Sequence, residues 1–91
     1  MKVEIRRGSN LGVFIHEEII TGTVIKVNKK SLRVHMTHAK CTTNGKVVRE
    51  YDMNVEATFV FWKTIERESG KNAGKTVSLY KSQYGIIEIV H

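Results

Sequence analysis

Apolar and polar residues alternate along much of this chain with a period of two, the pattern of β-strands that have one buried and one exposed face. The most regular run is 55–61, whose apolar face is made of Val55, Ala57, Phe59 and Phe61. Such regular alternation is rare outside strands that pack one face on a core. We therefore expect this run to be the best core strand of the protein.

Shorter alternating runs predict the other strands, and polar, glycine-containing stretches such as 8–12 and 64–75 predict loops. The chain contains no proline to interrupt a strand ladder. Six or seven short strands of this kind form a small barrel or a sandwich. We predict a single all-β domain spanning residues 1–91, a small barrel of SH3-like or OB-like type with six to seven short antiparallel strands.

Residues 23–27 and 32–36 predict a hairpin with its turn at 28–31. Pairing Val27 with Leu32 determines the rest of the register, because side chains alternate between the two faces. The other pairs would be Ile25 with Val34, Thr23 with Met36, Lys26 with Arg33 and Val24 with His35. This register sets two cations side by side on one face of the hairpin.

The strongest turn signal in the chain is Asn44-Gly45, since both residues tolerate the positive φ of a type I′ turn. The register that follows from this turn pairs Cys41 with Val48 and Lys40 with Arg49. The second of these pairs again places two cations opposite each other. Cys41 is expected to be a small buried apolar residue.

The buried positions change phase between the two hairpins. Leu32, Val34 and Met36 lie in one phase, whereas Ala39 lies in the other. We therefore predict a bulge or a sharp bend near Thr37-His38, of the kind that small barrels use at their corners.

The charge balance points to a class of partner. Fifteen lysine and arginine side chains against nine aspartates and glutamates give a net charge of +6. Such a surplus favours polyanions, because the basic side chains neutralise phosphates and release counterions. RNA or DNA is therefore the predicted partner, bound without enzymatic action.

The predicted contacts lie on and near the two hairpins, with Trp62 as an exposed aromatic residue that could stack on a base. The predicted nucleic-acid-binding residues are Lys26, Lys29, Lys30, Arg33, His35, Lys40, Arg49 and Trp62. A plainer interpretation is that the basic side chains simply extend into solvent. Trp62 would then pack under the 64–75 loop or at a dimer contact.

A resemblance to a known family lies in Thr21-Gly22-Thr23-Val24-Ile25-Lys26-Val27, followed by Leu32-Arg33-Val34. This part of the chain, residues 21–36, resembles the strand–turn–strand core of KOW-type SH3-like barrels. In that pattern a glycine precedes alternating apolar residues, and a short basic turn follows. The resemblance implies a small barrel that contacts RNA, DNA or protein in transcription or translation complexes.

The sequence argues against metal binding, nucleotide binding by a P-loop, and catalysis. The series His35-x-x-His38-x-x-Cys41 is not predicted to bind metal, because a spacing of three puts successive side chains on opposite faces of a strand. Residues 70–76 are one residue short of a phosphate-binding P-loop and precede a predicted strand instead of a helix. No nucleophile, base and orienting group are predicted to converge. We therefore predict no catalytic residues, no metal and no cofactor.

The single cysteine allows no internal disulfide, and the alternating N-terminus shows no signal peptide. No stretch approaches the roughly 18 apolar residues of a spanning helix. These features predict a cytoplasmic protein without a membrane partner. The alternative function is a protein-interaction, assembly or inhibitor module that binds an acidic protein partner through a sheet edge, and the same edge would permit a homodimer.

Overall fold

The computed structural model describes the backbone of residues 1–11 and 14–91 and the side chains of residues 1–8 and 15–91. These residues form one sheet of six antiparallel strands, which confirms the predicted all-β class. The strands are β1 (Lys2–Leu11), β2 (Phe14–Asn28), β3 (Ser31–Thr43), β4 (Lys46–Glu66), β5 (Thr76–Ser82) and β6 (Gly85–Val90). Among the described residues there is no helix with the length and apolarity needed to cross a membrane.

Each strand pairs with the next one along the chain, and β1 also meets β6 through one pair of residues, Arg6 and Ile86. Gly85 makes this approach possible. Its φ is 134°, and a Cβ at this position would lie 2.6 Å from the carbonyl oxygen of Arg6. A side chain at position 85 would therefore push β6 away from β1.

The strands β2, β3 and β4 are longer than the sequence predicted, with 15, 13 and 21 residues. The strand that follows the Asn44-Gly45 turn and the alternating run 55–61 are one continuous strand, so the expectation of short strands is wrong here. The reason is that β4 changes neighbour along its length. It pairs with β3 up to Val60 and with β5 from Val60 to Glu66.

Two of the predicted loops are also partly strand. The segment 8–12 belongs to β1 as far as Leu11, and Gly12 lies outside the described residues. The loop expected at 64–75 begins only after Glu66. The short loop that remains contains Gly70 and Gly74, both with positive φ, and a strand follows it as predicted.

Bulges in the strands change which face of the sheet the following side chains point to. The predicted bulge near Thr37-His38 is confirmed, because Thr37 is skipped in the ladders to both β2 and β4. Ile25 is an extra residue in β2, and Val48 and Trp62 are extra residues in β4. An extra residue leaves the ladder and increases the local twist, which lets long strands curve around a small core.

The extra residue at Ile25 corrects the register of the first hairpin. Val27 with Leu32 and Lys26 with Arg33 are confirmed pairs. Beyond the bulge the predicted pairs Ile25–Val34, Thr23–Met36 and Val24–His35 are wrong, and the observed pairs are Val24–Val34, Thr23–His35 and Gly22–Met36. Ile25 is consequently about half exposed instead of facing the core.

One apolar cluster fills the interior. Its largest fully buried side chain is Phe59, which the alternation of 55–61 placed correctly. The buried residues of this cluster are Val3, Ile5, Ile20, Leu32, Val34, Met36, Ala39, Phe59 and Ile87. All strands except β5 contribute to this list, and Tyr80 of β5 packs against it. The interior therefore depends on contacts between segments that are distant in sequence.

The loop 67–75 packs on the outer side of the last two strands. Leu79 is buried although it lies outside the core cluster, and its partner across the β5–β6 ladder is Glu88. The Glu88 carboxylate accepts a hydrogen bond from Asn72 at 3.3 Å and forms an ion pair with Arg67. Both partners belong to the loop, so these contacts hold the loop against β5 and β6.

Candidate nucleic-acid interface

The structure divides the predicted binding residues between the two ends of β3. The turn with Lys29 and Lys30 precedes β3, and the Asn44-Gly45 turn follows it. Lys40 lies seven residues along β3 from Arg33, a distance of roughly 23 Å in an extended strand. The predicted residues therefore do not form one continuous face.

The turn at the first end contacts β4. The backbone N–H of Phe61 donates to the carbonyl oxygen of Lys30 at 2.8 Å. Beside it, Ser31 pairs with Val60, and Val60 pairs with Lys81 of β5. Adjacent strands lie about 4.8 Å apart, so the β5 lysine is roughly 10 Å from the start of β3.

This arrangement brings together six cations and one exposed aromatic ring. We call the group the basic end; its members are Lys26, Lys29, Lys30, Arg33, Lys63, Lys81 and Trp62. The segments that carry them, 24–34, 57–65 and 77–84, contain no acidic residue. Exposed apolar side chains border the group, including Val27 and Val60.

Trp62 contacts two lysines of the basic end. The Nζ atoms of Lys63 and Lys81 lie 4.3 and 4.8 Å from the centroid of its ring. The side chain remains 42% exposed, so the interpretation that Trp62 is covered by the 64–75 loop is wrong. Each cation–π contact at an exposed site contributes only about 0.5–1 kcal/mol, so a competing ligand can displace the ammonium group.

The sequence did not predict Lys63 and Lys81 as binding residues. Lys81 reaches Trp62 because Trp62 is an extra residue in β4, which changes the register with β5 between Phe61 and Lys63. No turn dipeptide specifies the β4–β5 connection, which runs through the irregular loop 67–75. The one available signal was that Lys63 follows Trp62 directly in the sequence.

The lysines of the basic end have no carboxylate partner among the described residues, which include all nine acidic side chains. Arg33 differs, because its Nε lies 3.4 Å from Glu56 and its Nη1 donates to Thr58 at 3.0 Å. These contacts hold the guanidinium toward β4 and so relieve its repulsion with Lys26 across the ladder.

Farther along β3, acidic and amide side chains of β4 accompany the basic ones. His35 hydrogen-bonds Asn54 at 2.5 Å, and Lys40 lies opposite Glu50. The predicted pairing of Lys40 with Arg49 is therefore wrong. The reason is the extra residue Val48, which shifts the register after the Asn44-Gly45 turn.

Arg49 and Cys41 form a pair in the corrected register. The Arg49 guanidinium lies 4.7 Å from the centroid of the Tyr51 ring. The Cys41 thiol donates to Glu18 at 3.4 Å, and it is half-buried, not buried as expected. Burial and the neighbouring Glu18 carboxylate raise the pKa of the thiol, which keeps it protonated and unreactive at neutral pH.

His38 bridges two carboxylates of β4. Its Nδ1 lies 3.0 Å from Asp52 and its Nε2 lies 2.7 Å from Glu50. Hydrogen bonds to Asp52 and then to Glu50 raise the pKa of this histidine above its ordinary value of 6.5. The charged imidazole stabilises the folded protein, and this stabilisation is complete below about pH 6.5 and disappears as the pH rises through the elevated pKa.

We expect an NMR titration of the His38 ring protons to give a midpoint above 6.5. Asp52→Asn should lower the midpoint more than Glu50→Gln, because the bond to Asp52 is the larger cause of the shift. His38→Gln should remove the corresponding loss of stability between mildly acidic and mildly alkaline pH. A midpoint at or below 6.5 would show that the carboxylates do not hold the ring in solution.

A shallow depression of about 390 Å³ lies on the other side of the sheet, with Arg7, Glu18 and Cys41 in its lining. Its polar groups bond to one another, since Arg7 pairs with Glu18 at 3.3 Å and His16 bonds Thr43 at 2.9 Å. Within the described part of the chain, no group of three histidine, cysteine or acidic side chains is placed to hold a metal ion.

Searches against protein-family models, curated proteins and solved structures found no match for the chain. The argument for function therefore depends on the basic end itself. It combines lysines that lack acidic partners among the described residues with an accessible aromatic ring and exposed apolar side chains.

Proposed function

We propose that this chain is a non-enzymatic, cytoplasmic nucleic-acid-binding module, a small β-barrel of SH3-like or OB-like type. Phosphates would be contacted by the basic end, chiefly by Lys26, Lys29 and Lys30. The observation that carries the proposal is that five lysines without a carboxylate partner among the described residues lie together with Arg33 at one end of the sheet. Phosphate contacts of this kind provide affinity and position without reading sequence.

The pairing of charges elsewhere supports this assignment. Arg6 lies 2.6 Å from Glu17, and Arg7 and Arg67 also have acidic partners. Four of the nine acidic side chains pair with arginines outside the basic end, and two more contact His38. The surplus of positive charge is consequently concentrated there, and field strength at a compact patch exceeds that of a dispersed surplus.

A protein-interaction role has one specific observation in its favour. Within the described residues, β4 pairs with β5 only from Val60 onward, so one side of Lys46–Phe59 lacks a strand neighbour. Such a side could accept a partner strand or a second copy of the chain. However, this stretch carries Glu50, Asp52 and Glu56. These carboxylates disfavour the acidic protein partner expected from the sequence.

The test is a fluorescence-anisotropy titration with RNA and DNA oligonucleotides at about 50 and 200 mM salt. We expect measurable binding at the lower concentration and a steep loss at the higher one, because each phosphate contact contributes about 0.7–0.9 to the slope of log K against log salt. Absence of binding at low salt would overturn the proposal. Light scattering at two protein concentrations would then test self-association through β4.

A further inference from the structure

We infer that the basic end selects single-stranded over duplex nucleic acid, because a base stacks on the Trp62 ring. This inference rests on the proposed function and names the form of nucleic acid that the site takes. Three features of the structure carry it: the position of Trp62 at a bulge, the two lysines around its ring, and the exposed apolar residues next to it.

The bulge makes the ring accessible. Trp62 is the extra residue between Phe61 and Lys63 in the β4–β5 ladder, so it has no partner directly opposite on β5. Its side chain is 42% exposed. An indole that stands out from a sheet in this way offers a planar face to an unstacked base, and every base has a matching π-face.

The lysines place positive charge where the backbone of a stacked nucleotide would run. Lys63 and Lys81 approach the ring from β4 and β5, with their Nζ atoms at 4.3 and 4.8 Å from its centroid. A base that takes their place on the ring leaves both ammonium groups beside it. They can then contact the phosphates on either side of that base.

The neighbouring surface favours exposed bases over a closed helix. Val60 is 54% exposed, and Ile86 lies on the same face because it pairs with Lys81, which in turn pairs with Val60. Apolar side chains contribute little to binding the charged exterior of a duplex. They do cover the faces and edges of unpaired bases, which single strands present and duplexes conceal.

The experiment compares four ligands at one salt concentration: single-stranded DNA and RNA of about 10 nucleotides, an abasic strand of equal length, and a duplex of equal length. We expect the single strands to bind most tightly. Trp62 is the only tryptophan, so its fluorescence reports stacking directly. Strands with bases should quench the fluorescence, and the abasic strand should not.

Trp62→Ala should weaken binding of the single strands about 5- to 150-fold, the effect of losing one base–aromatic stack. It should leave the affinity for the abasic strand nearly unchanged. Trp62→Phe preserves an aromatic ring and should retain most of the affinity for strands with bases. Because the ring is exposed, both variants should fold, which a circular-dichroism spectrum checks.

The outcomes separate the two proposals. Equal affinity for abasic and base-containing strands, no change in Trp62→Ala, or preference for the duplex would each overturn the stacking inference and leave phosphate binding intact. Failure to bind all four ligands would overturn both proposals. Similar quenching and affinity with RNA and DNA would support a site that reads base faces without distinguishing the sugar.

Discussion

Phe59→Ala is expected to lower the free energy of unfolding by about 3–5 kcal/mol, the range observed when a buried phenylalanine is truncated. Phe59 is fully buried and is the largest side chain in the core. It lies opposite Leu32, on a β4 stretch without a strand on its other side. The unpaired edge lets this part of β4 relax toward the cavity, so the lower part of this range is expected. Urea unfolding followed by circular dichroism measures the change.

Phe61→Ala is the matched control, since the same truncation is made two residues away in the same strand. Phe61 is 37% exposed, and its ring meets Tyr80 edge-on at 5.7 Å between centroids. Loss of one aromatic pair and some buried area should cost only about 1–2 kcal/mol. Equal costs for the two variants would contradict the difference in burial between Phe59 and Phe61.

The sequence predicted those features that depend on local chemistry. The Asn44-Gly45 turn has φ values of 51° and 81°, as a type I′ turn requires. The alternation in 55–61 correctly predicted that Phe59 is buried, but the expectation of the best core strand is wrong, because Phe61 on the same face is 37% exposed and β3 contributes more buried residues. The change of phase before Ala39 correctly implied a bulge, because a buried face cannot change parity without an extra residue.

Features that depend on pairing between distant strands were not predictable. Val24 and Ile25 are consecutive apolar residues, and only the pairing with β3 shows that Ile25 is the extra one. Val48 is skipped in the same way, so counting back from a correctly predicted turn still gave a false Lys40–Arg49 pair. One extra residue changes the partner of every later residue in a strand.

In the candidate site, too, the contacts set by local sequence were predicted and those set by distant strand pairing were not. Lys26 faces Arg33 as predicted, because the pair lies next to the turn and before any bulge. Lys81 was missed because its position beside Trp62 depends on a bulge and on a connection of irregular length. The contact of Arg6 with Ile86 joins opposite ends of the chain, and no local pattern indicates it.

Lys26→Gln combined with Lys30→Gln is expected to weaken nucleic-acid binding about 25- to 60-fold near 100 mM salt, because two phosphate contacts are lost and each contributes about 0.7–0.9 to the salt slope. The slope itself should fall by about 1.4–1.8. Neither lysine has an ion-pair partner among the described residues. No ion pair is therefore lost, so the double variant should be as stable as the parent.

The control is Lys40→Gln combined with Lys46→Gln. It removes the same amount of positive charge as the test variant. Like the test variant, it changes one residue within a strand and one residue at a hairpin turn. These two residues lie toward the Asn44-Gly45 turn, at the far end of β3 from the basic end. Because phosphate contacts act over a short, screened range, the control should retain nearly the full affinity and salt slope of the parent.

The comparison between the two double variants decides where the charge acts. Equal losses would mean that net charge alone drives association, and the localised interface would be wrong. A loss confined to the control would move the binding site to the second hairpin, where the sequence placed Lys40 and Arg49. A loss confined to Lys26 and Lys30 assigns phosphate binding to the first turn, since these variants differ in the position and not in the amount of charge removed.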